Sequence, residues 1–174
     1  MDRLFSPWRL DYITGPKDKT SCVFCRHAEE TRTNSANPDS LVLLMGEHVY
    51  VVLNRYPYNN GHLMVVPYRH TSTLTELDRE ELDELIVWTQ RSEQALREAY
   101  PPEGINVGIN LGKVAGAGIE EHLHVHVVPR WAGDTNFMTV VAETRVLPED
   151  LSMTARRLRP VFEKLSESHD PASL

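Results

Sequence analysis

Three histidines stand at alternate positions between Glu121 and Val128, where the sequence reads EHLHVHVV. Alternate side chains of a strand share a face, so an extended segment would align His122, His124 and His126 on one side. Their spacing would be roughly 6.5–7 Å, because a strand rises about 3.3 Å per residue. A single histidine is most often a hydrogen-bonded structural residue, but three aligned imidazoles indicate chemistry.

Two kinds of chemistry fit the three imidazoles. All three could ligate one metal ion, as in zinc sites with three histidine ligands. Alternatively, one imidazole attacks phosphorus as a nucleophile while another contacts the phosphate. The preceding loop favours the second interpretation, because its glycines let backbone N–H groups turn toward an anion. These glycines are Gly112, Gly116 and Gly118.

The two cysteines of the chain, Cys22 and Cys25, form a Cys-x-x-Cys pair. In a cytosolic chain this spacing indicates metal binding or redox chemistry before a structural disulfide. The pair supplies only half of a tetrahedral site, so a metal ion would need two more ligands from elsewhere in the chain.

Five segments have the apolar pattern of short strands, and turn signals separate them. The predicted strands are 41–45, 49–54, 63–67, 105–110 and 122–128. A turn at Gly46-Glu47 joins the first two into a hairpin, while Pro67 and Pro129 end the third and the fifth. Together with the helices, the pattern predicts an α+β fold with a mainly antiparallel five-stranded sheet.

Two helices are predicted, over residues 78–99 and 148–165. Asp78 and Glu81 begin the first helix in the arrangement of a capping box. Its predicted core-facing stripe consists of Leu82, Leu85, Ile86, Thr89 and Leu96. The polar residues 27–40 are expected to form a loop.

The elements divide the chain into three parts. Residues 1–21 form an N-terminal arm, residues 22–140 the domain that carries the histidines, and residues 141–174 a C-terminal helical extension and tail.

The composition narrows the class of partner. The formal net charge is -7, and no basic face is visible, so long nucleic acids are not expected as substrates. No apolar run approaches the ~20 residues that span a membrane, and the N-terminus lacks the pattern of a secretory signal. We expect a cytoplasmic protein that binds a small anionic molecule and needs no organic cofactor.

The segment 122–128 fits the signature His-φ-His-φ-His-φ-φ, where φ is apolar, and resembles the histidine triad (HIT) family. Residues 129–134 (PRWAGD) and 54–67 (NRYPYNNGHLMVVP) are also similar to segments of this family. The resemblance covers roughly residues 20–140 and looks closest to the bacterial diadenosine tetraphosphate (Ap4A) phosphorylase-like branch. It implies the HIT-like fold and a homodimer, in which two sheets pair into one continuous sheet, or a higher homo-oligomer.

The resemblance also implies catalytic roles for three histidines. His124, the middle member, would be the nucleophile, with a backbone carbonyl or similar acceptor selecting its tautomer. His126 would contact the α-phosphate and stabilise its developing charge. His62 is similar to a family histidine that supports the triad.

The same resemblance implies a nucleotide-binding set. Asn54 matches the position near the ribose hydroxyls, and Asn110 matches a polar position that reaches the phosphates. Gly116 and Gly118 belong to the phosphate loop, and His126 is shared with the catalytic set.

In zinc-containing members of the family, the first triad histidine joins a Cys-x-x-Cys pair and one further histidine. Here these ligands would be Cys22, Cys25, His70 and His122. Two thiolates and two imidazoles make a closed tetrahedral site, which is structural rather than catalytic. The alternative is a reduced thiol pair and a surface His70.

The implied function is cleavage of dinucleoside polyphosphates such as Ap4A through a nucleotidyl-histidine intermediate. Residues 115–121 (AGAGIEE) depart from the pattern of many hydrolase members, since they contain no hydroxyl or amide side chain. The second nucleophile, water or orthophosphate, therefore stays open. Two other functions remain: a hydrolase of purine nucleoside phosphoramidates or mononucleotides, and a nucleotide-binding module with weak catalysis.

Overall fold

The computed structural model describes residues 22–33, 37, 40–134 and 149–167. The predicted arm of residues 1–21 and the last residues of the tail, 168–174, lie outside the described residues. Within the described ranges, no helix is both long enough and apolar enough to cross a bilayer.

Five antiparallel strands form one open sheet, as the sequence predicted. They are β1 (Val42–Met45), β2 (Val49–Leu53), β3 (Leu63–Pro67), β4 (Gly104–Ile109) and β5 (Val125–Arg130). The order across the sheet is β1-β2-β3-β5-β4, so β5 lies between β3 and β4. The α+β class and the five-stranded antiparallel sheet are therefore confirmed.

The described residues contain three α-helices, which are α1 (Val23–Thr33), α2 (Arg79–Ala99) and α3 (Leu151–Glu167). Helices α2 and α3 match the two predicted helices. The capping box of α2 is also confirmed, because the Asp78 carboxylate accepts from the backbone N–H of Glu81 and the Glu81 carboxylate accepts from that of Asp78.

Helix α1 occupies part of the segment that was predicted as a loop, so that prediction is wrong for residues 27–33. Only Phe24 and Ala28 of this helix are buried, one turn apart. The Tyr50 hydroxyl, from β2, donates a 2.8 Å hydrogen bond to the Phe24 carbonyl. Two buried positions are too few to show the apolar spacing that is typical of a helix. Such a helix is stabilised mainly by its contacts with the sheet.

The helices pack on both faces of the sheet. Helices α2 and α3 cover one face and enclose the main core, which includes Leu63, Val127 and Phe162. Helix α1 covers part of the other face. The smaller cluster beneath it consists of Phe24, Ala28, Val42, Tyr50, Val52, Met64 and Val66.

The predicted stripe of α2 is wrong at two positions, because Leu82 and Ile86 are 37% and 65% exposed. The buried residues of the helix are Glu81, Leu85, Trp88, Thr89, Ser92, Ala95 and Leu96. Thr89 and Ser92 each donate a hydrogen bond to the carbonyl four residues earlier, at 2.7 and 2.6 Å. Because these hydroxyls already have hydrogen-bond partners, they can be buried. The spacing of apolar residues alone therefore does not define the buried face of α2.

Strand β5 differs from its predicted bounds of 122–128, since it begins at Val125 and continues through Pro129 to Arg130. Pro129 pairs with Ile105 of β4, and its carbonyl accepts a 2.9 Å bond from the Asn59 side chain. The N–H and C=O of a strand residue point to the same side, so the N–H that proline lacks would face away from β4. The proline therefore costs the ladder no hydrogen bond.

A carboxylate of α2 fastens the turn between β1 and β2. The Glu84 side chain accepts hydrogen bonds from the backbone N–H groups of Glu47 (2.9 Å), His48 and Val49 (3.2 Å). A Cβ at Gly46 would clash with the Glu84 carboxylate and would lie 2.9 Å from the Val49 carbonyl oxygen. Glycine at this position thus leaves room for the carboxylate that satisfies the turn.

We predict that Glu84→Ala lowers the free energy of unfolding by about 1.5–3 kcal/mol, because it leaves backbone donors without a charged acceptor. The measurement is urea denaturation. Asp83→Ala serves as the control, since Asp83 is an exposed neighbour on α2 with a surface ion pair and should change the value by less than about 0.5 kcal/mol. Equal effects of the two substitutions would contradict the prediction.

Candidate active site and metal cluster

The three histidines at 122, 124 and 126, here called the triad, lie on one side of an extended segment. His122 and His124 precede the regular part of β5 and are 1% and 5% exposed, whereas His126 lies within the strand and is half-buried. The intervening residues Leu123, Val125 and Val127 all point into the main core. The alternation of faces predicted from the sequence is present, although regular strand geometry begins only at 125.

One hydrogen bond defines the protonation of His124. Its Nδ1 atom lies 2.8 Å from the backbone carbonyl oxygen of His122. A carbonyl can only accept, so Nδ1 carries the proton and Nε2 keeps a lone pair. Burial lowers the pKa of His124 below its ordinary value, with a smaller opposing contribution from this hydrogen bond. The ring is therefore neutral near pH 7 and presents Nε2 as a nucleophile.

His126 has the opposite tautomer, because His62 determines it. The backbone N–H of Tyr58 donates to Nδ1 of His62 at 3.1 Å, so the proton of that ring is on Nε2. This Nε2–H faces Nδ1 of His126 at 3.0 Å. Nδ1 of His126 must therefore accept this hydrogen bond, and the proton of the His126 ring is on Nε2. Burial, followed by repulsion from His124, lowers the pKa of His126 to about 4.

Asn54 lies against the same His62 ring. Its Oδ1 accepts a 2.9 Å bond from the backbone N–H of Tyr56, which leaves its Nδ2 group 3.3 Å from Nδ1 of His62. The same Nδ2 group lies 3.5 Å from Nε2 of His62, so Asn54 contacts the ring without selecting its tautomer, which the Tyr58 N–H determines. The structure therefore brings together four of the predicted residues, which are Asn54, His62, His124 and His126.

The predicted phosphate loop has the backbone freedom that it needs. Gly112 and Gly116 have φ angles of +81° and +92°, in the region that favours glycine, and flank a short 3₁₀ turn at Lys113–Ala115. Asn110 follows β4 directly and is half-buried, and Gly118 lies in the exposed part of the loop. The binding roles of Asn110, Gly116 and Gly118 stay predictions.

Cys22, Cys25, His70 and His122 converge on one point, with all four donor atoms within 4.8 Å of one another. Both cysteines are free thiols. Nε2 of His122 lies 2.8 Å from the Pro67 carbonyl, so that nitrogen carries the proton and Nδ1 is left to act as a ligand. These four residues could hold a metal ion.

The spacing of the donor atoms fits a tetrahedral zinc site. Ligand distances of about 2.3 Å for sulfur and about 2.05 Å for nitrogen imply about 3.3 Å between two nitrogens and about 3.6 Å between sulfur and nitrogen. The Nδ1 atoms of His70 and His122 are 3.3 Å apart. Sulfur–nitrogen distances are 3.3 Å from Cys22 to His122, 3.4 Å from Cys25 to His70 and 3.5 Å from Cys25 to His122.

Phe24 connects this cluster with His124, a contact that sequence reasoning missed. It lies between the two cysteines in the first turn of α1, and its ring centroid is 5.4 Å from that of His122 and 4.9 Å from that of His124. The sequence feature that could have identified Phe24 is its position inside the Cys-x-x-Cys pair. A side chain there must follow the cysteines wherever they are held.

A groove of about 280 Å³ begins at His126 and runs over the same face of β5 and β4. Its lining includes Tyr58, Asn106, Gly108, Val128 and Arg130. Sequence reasoning assigned no role to any of these residues individually, although Tyr58, Val128 and Arg130 lie in segments that resemble the family.

An ion pair forms the far end of the groove. Arg130 donates from Nε to Asp134 Oδ2 at 2.6 Å and from Nη2 to Asp134 Oδ1 at 3.1 Å. Its Nη1 donates to Asn106 Oδ1 at 2.8 Å. The Arg130 guanidinium lowers the pKa of Asp134 far below its ordinary value, with help from the Asn59 amide. This end of the groove therefore carries balanced charges.

Comparisons with known proteins agree with this geometry. The HIT domain profile matches residues 35–133. An AP-4-A phosphorylase of Mycobacterium tuberculosis is 42% identical over 91% of this chain and 83% of its own length. A bis(5'-adenosyl)-triphosphatase of Dictyostelium discoideum is 30% identical over 72% of this chain and 87% of its own.

A solved structure shares both the fold and the sequence similarity. The Zn-bound histidine triad family protein of Mycobacterium smegmatis superposes with a TM-score of 0.65 and 29% identity, covering 86% of this chain and 98% of that protein. With the profile match over more than half of the sequence and the 42% identical relative, these findings establish that the chain belongs to the HIT domain family.

Proposed function

We propose that this HIT protein cleaves dinucleoside polyphosphates such as Ap4A at the α-phosphorus, with His124 as the nucleophile. The observation that carries the proposal is the pair of opposite tautomers, with a lone pair on Nε2 of His124 and a proton on Nε2 of His126. One ring is prepared to attack and its neighbour to donate a hydrogen bond to the phosphate. The names of the phosphorylase and triphosphatase relatives support this substrate class.

The first half-reaction forms a nucleotidyl-histidine. Nε2 of His124 attacks the α-phosphorus, a P–N bond forms, and the P–O bond to the leaving nucleotide breaks, so that oxygen keeps the electron pair. The His122 carbonyl stabilises the positive charge that develops on the His124 ring. The Nε2–H of His126 donates to a phosphate oxygen as its negative charge grows.

The second half-reaction restores the enzyme. An oxygen of orthophosphate or water attacks phosphorus, the P–N bond breaks, and His124 recovers its lone pair while the attacking oxygen loses its proton to solvent. We favour orthophosphate, because the relative with 42% identity over most of the chain is named a phosphorylase. Residues 115–121 contain no hydroxyl or amide side chain, so backbone N–H groups would stabilise the leaving phosphate of the first half-reaction.

The geometry opposes a single metal ion ligated by all three triad histidines. Nδ1 of His122 faces the cysteines, Nδ1 of His124 faces a carbonyl, and Nδ1 of His126 faces His62. Among the described residues, the potential ligand group is the four-residue cluster and not the triad. Hydrolysis of phosphoramidates or mononucleotides would use the same nucleophile. Analysis of the reaction products distinguishes it from cleavage of Ap4A.

We propose in addition that Cys22, Cys25, His70 and His122 hold a structural zinc ion. The donor set of two thiols and two imidazoles closes a tetrahedral site without an open position, so zinc would supply stability rather than chemistry. Bound there, it would fix the start of α1 to the segment before β5. Phe24 and the His122 carbonyl would in turn be held against His124.

Product analysis with Ap4A tests the proposed reaction. With orthophosphate we expect ADP and ATP in equal amounts, and without it a much slower reaction. His124→Ala should reduce kcat by at least about 10³-fold, while His48→Ala, which changes a histidine outside the site, should not. AMP and ATP as the products would indicate hydrolysis instead. Turnover of an AMP amide by an enzyme that leaves Ap4A intact would contradict the proposal.

The lowered pKa of His124 predicts the pH dependence. A neutral ring must attack, and burial keeps the ring neutral below the ordinary histidine pKa of about 6.5. We therefore expect kcat/KM for Ap4A to stay constant from pH 8 to below about 6.5 and to fall only in more acidic solution. Saturating orthophosphate confines this parameter to the first half-reaction, and zinc content is checked at each pH. An acidic limb centred at or above 6.5 would exclude a buried neutral nucleophile.

Metal analysis tests the zinc proposal. The purified protein should contain about one zinc ion per chain, and Cys25→Ser should reduce this below about a tenth while lowering Tm, because a ligand bound only to the folded state stabilises it. His48→Ala is the matched control and should keep the metal. Wild-type protein that purifies with less than about a tenth of an equivalent, and takes up none when zinc is added, would refute the proposal.

A further inference from the structure

We propose that Asn59 is a positioning residue for the proposed reaction, because it keeps the backbone N–H of Tyr58 on the His62 ring. The inference rests on the proposed function, which needs the proton on Nε2 of His126 for the contact with the α-phosphate. The Tyr58 N–H selects the tautomer of His62, and His62 in turn selects that of His126. The place of one backbone N–H group therefore decides which nitrogen of His126 is protonated.

Asn59 is directly connected to both partners of the hydrogen bond between Tyr58 and His62. It follows Tyr58 in the chain, so its backbone limits where the Tyr58 N–H can lie. Its carbonyl also accepts a 3.1 Å hydrogen bond from the backbone N–H of His62. Holding Asn59 in place thus holds the donor and the acceptor of this bond together.

The Asn59 side chain fastens this turn to the end of β5. The residue is only 8% exposed. Its Nδ2 group donates to the Pro129 carbonyl at 2.9 Å and to Asp134 Oδ2 at 2.7 Å, which uses both hydrogens of the amide. Arg130 lowers the pKa of Asp134 and keeps the carboxylate ionised. The second bond is therefore charge-assisted and stronger than one between neutral groups.

The Pro129 carbonyl needs this donor, because β3 is too short to supply one. The pairing of β3 with β5 ends at Leu63 and Val127, whereas β4 pairs with β5 as far as Arg130. The Pro129 carbonyl points away from β4, to the side on which β3 no longer runs alongside. The Asn59 amide takes the place of the missing strand partner and extends the attachment of the turn to β5.

These contacts form a closed ring. Hydrogen bonds run from the Tyr58 N–H through His62 to His126, which lies on β5. Strand β5 continues to Pro129, and the Asn59 amide connects Pro129 back to the neighbour of Tyr58. The amide therefore fixes the separation between the first donor of the relay and the strand that carries its last acceptor.

Loss of the Asn59 amide would release the choice of tautomer. Asn54 would still contact the His62 ring, but it lies near both ring nitrogens and selects neither. His62 could then carry its proton on Nδ1, and His126 would carry its own on Nδ1 as well. Each ring would keep one proton, but Nε2 of His126 would present a lone pair to the phosphate instead of a hydrogen-bond donor.

The experiment measures ring protonation and kinetics of full-length Asn59→Ala protein. Nitrogen-15 NMR without substrate at pH 7 should show His126 protonated on Nδ1 in a large fraction of molecules, unlike in the wild type. We expect kcat for Ap4A to fall at least about 10-fold and KM to change less than about 3-fold, because the lost donor acts mainly on charge in the transition state.

Asn60→Ala is the matched control. Asn60 is the adjacent asparagine of the same turn, but its amide donates to the Glu149 carbonyl at 3.3 Å instead of to β5. Both substitutions should lower Tm, so a lower Tm does not distinguish them. Only Asn59→Ala should change the tautomer of His126, and Asn60→Ala should keep kcat within about 2-fold of the wild type.

A wild-type tautomer of His126 in Asn59→Ala, at any kcat, or a wild-type kcat would overturn the proposal. If Asn59→Ala does not fold, Asn59→Ser, which keeps one donor on a shorter side chain, is measured in the same way and should shift the tautomer in the same direction. The two proposals fail separately. A wild-type protein that leaves Ap4A intact, with a tautomer change in Asn59→Ala, refutes the proposed reaction alone. Cleavage of Ap4A with no tautomer change in the variant refutes the role of Asn59 alone.

Discussion

The hydrogen bond from Nδ1 of His124 to the His122 carbonyl is the interaction on which the site depends. It spans only two residues, so the backbone between them must depart from regular pairing to direct a carbonyl at a side chain. This requirement explains why β5 begins at Val125, where pairing with Val65 of β3 and Ile109 of β4 starts. An unpaired carbonyl here has a chemical use, because it selects the tautomer that can attack phosphorus.

His122 links two functions through different atoms of one residue. Its ring belongs to the cluster with Cys22, Cys25 and His70, and its carbonyl accepts a hydrogen bond from His124, the proposed nucleophile. Phe24 forms a second connection, since it lies between the cysteines and contacts the His124 ring. A change in the cluster therefore reaches His124 by two routes of direct contact. In this way the proposed zinc site would affect the proposed reaction without taking part in it.

The sequence predicted those features that depend on local spacing. The alternation from 122 to 128, the hairpin before residue 54 and the capping box at Asp78 all follow from rules that act over a few residues, and all three are present. Helix α1 was missed because just two of its residues are buried. The exposure of Leu82 and Ile86 was missed because the buried face of α2 is centred on Trp88, Ser92 and Ala95 instead. Ser92 can be buried because its hydroxyl donates to the Trp88 carbonyl.

Features that depend on distant residues were beyond local reasoning. His122 lies 97 positions from Cys25, and family resemblance rather than spacing suggested that they meet. The relay from Tyr58 through His62 to His126 uses a backbone N–H, which no side-chain motif records. The pairing of Arg130 with Asp134 is close in sequence, but its place at the end of a groove follows from the register of β4 and β5.

The most direct test of the central claim is the protonation of the two rings. Nitrogen-15 NMR of histidine-labelled protein at pH 7, with resonances assigned through single substitutions, distinguishes a protonated from an unprotonated ring nitrogen. We expect His124 to carry its proton on Nδ1 and His126 to carry its proton on Nε2. The same tautomer on both rings, or a doubly protonated His124 at this pH, would contradict the assignment of the nucleophile.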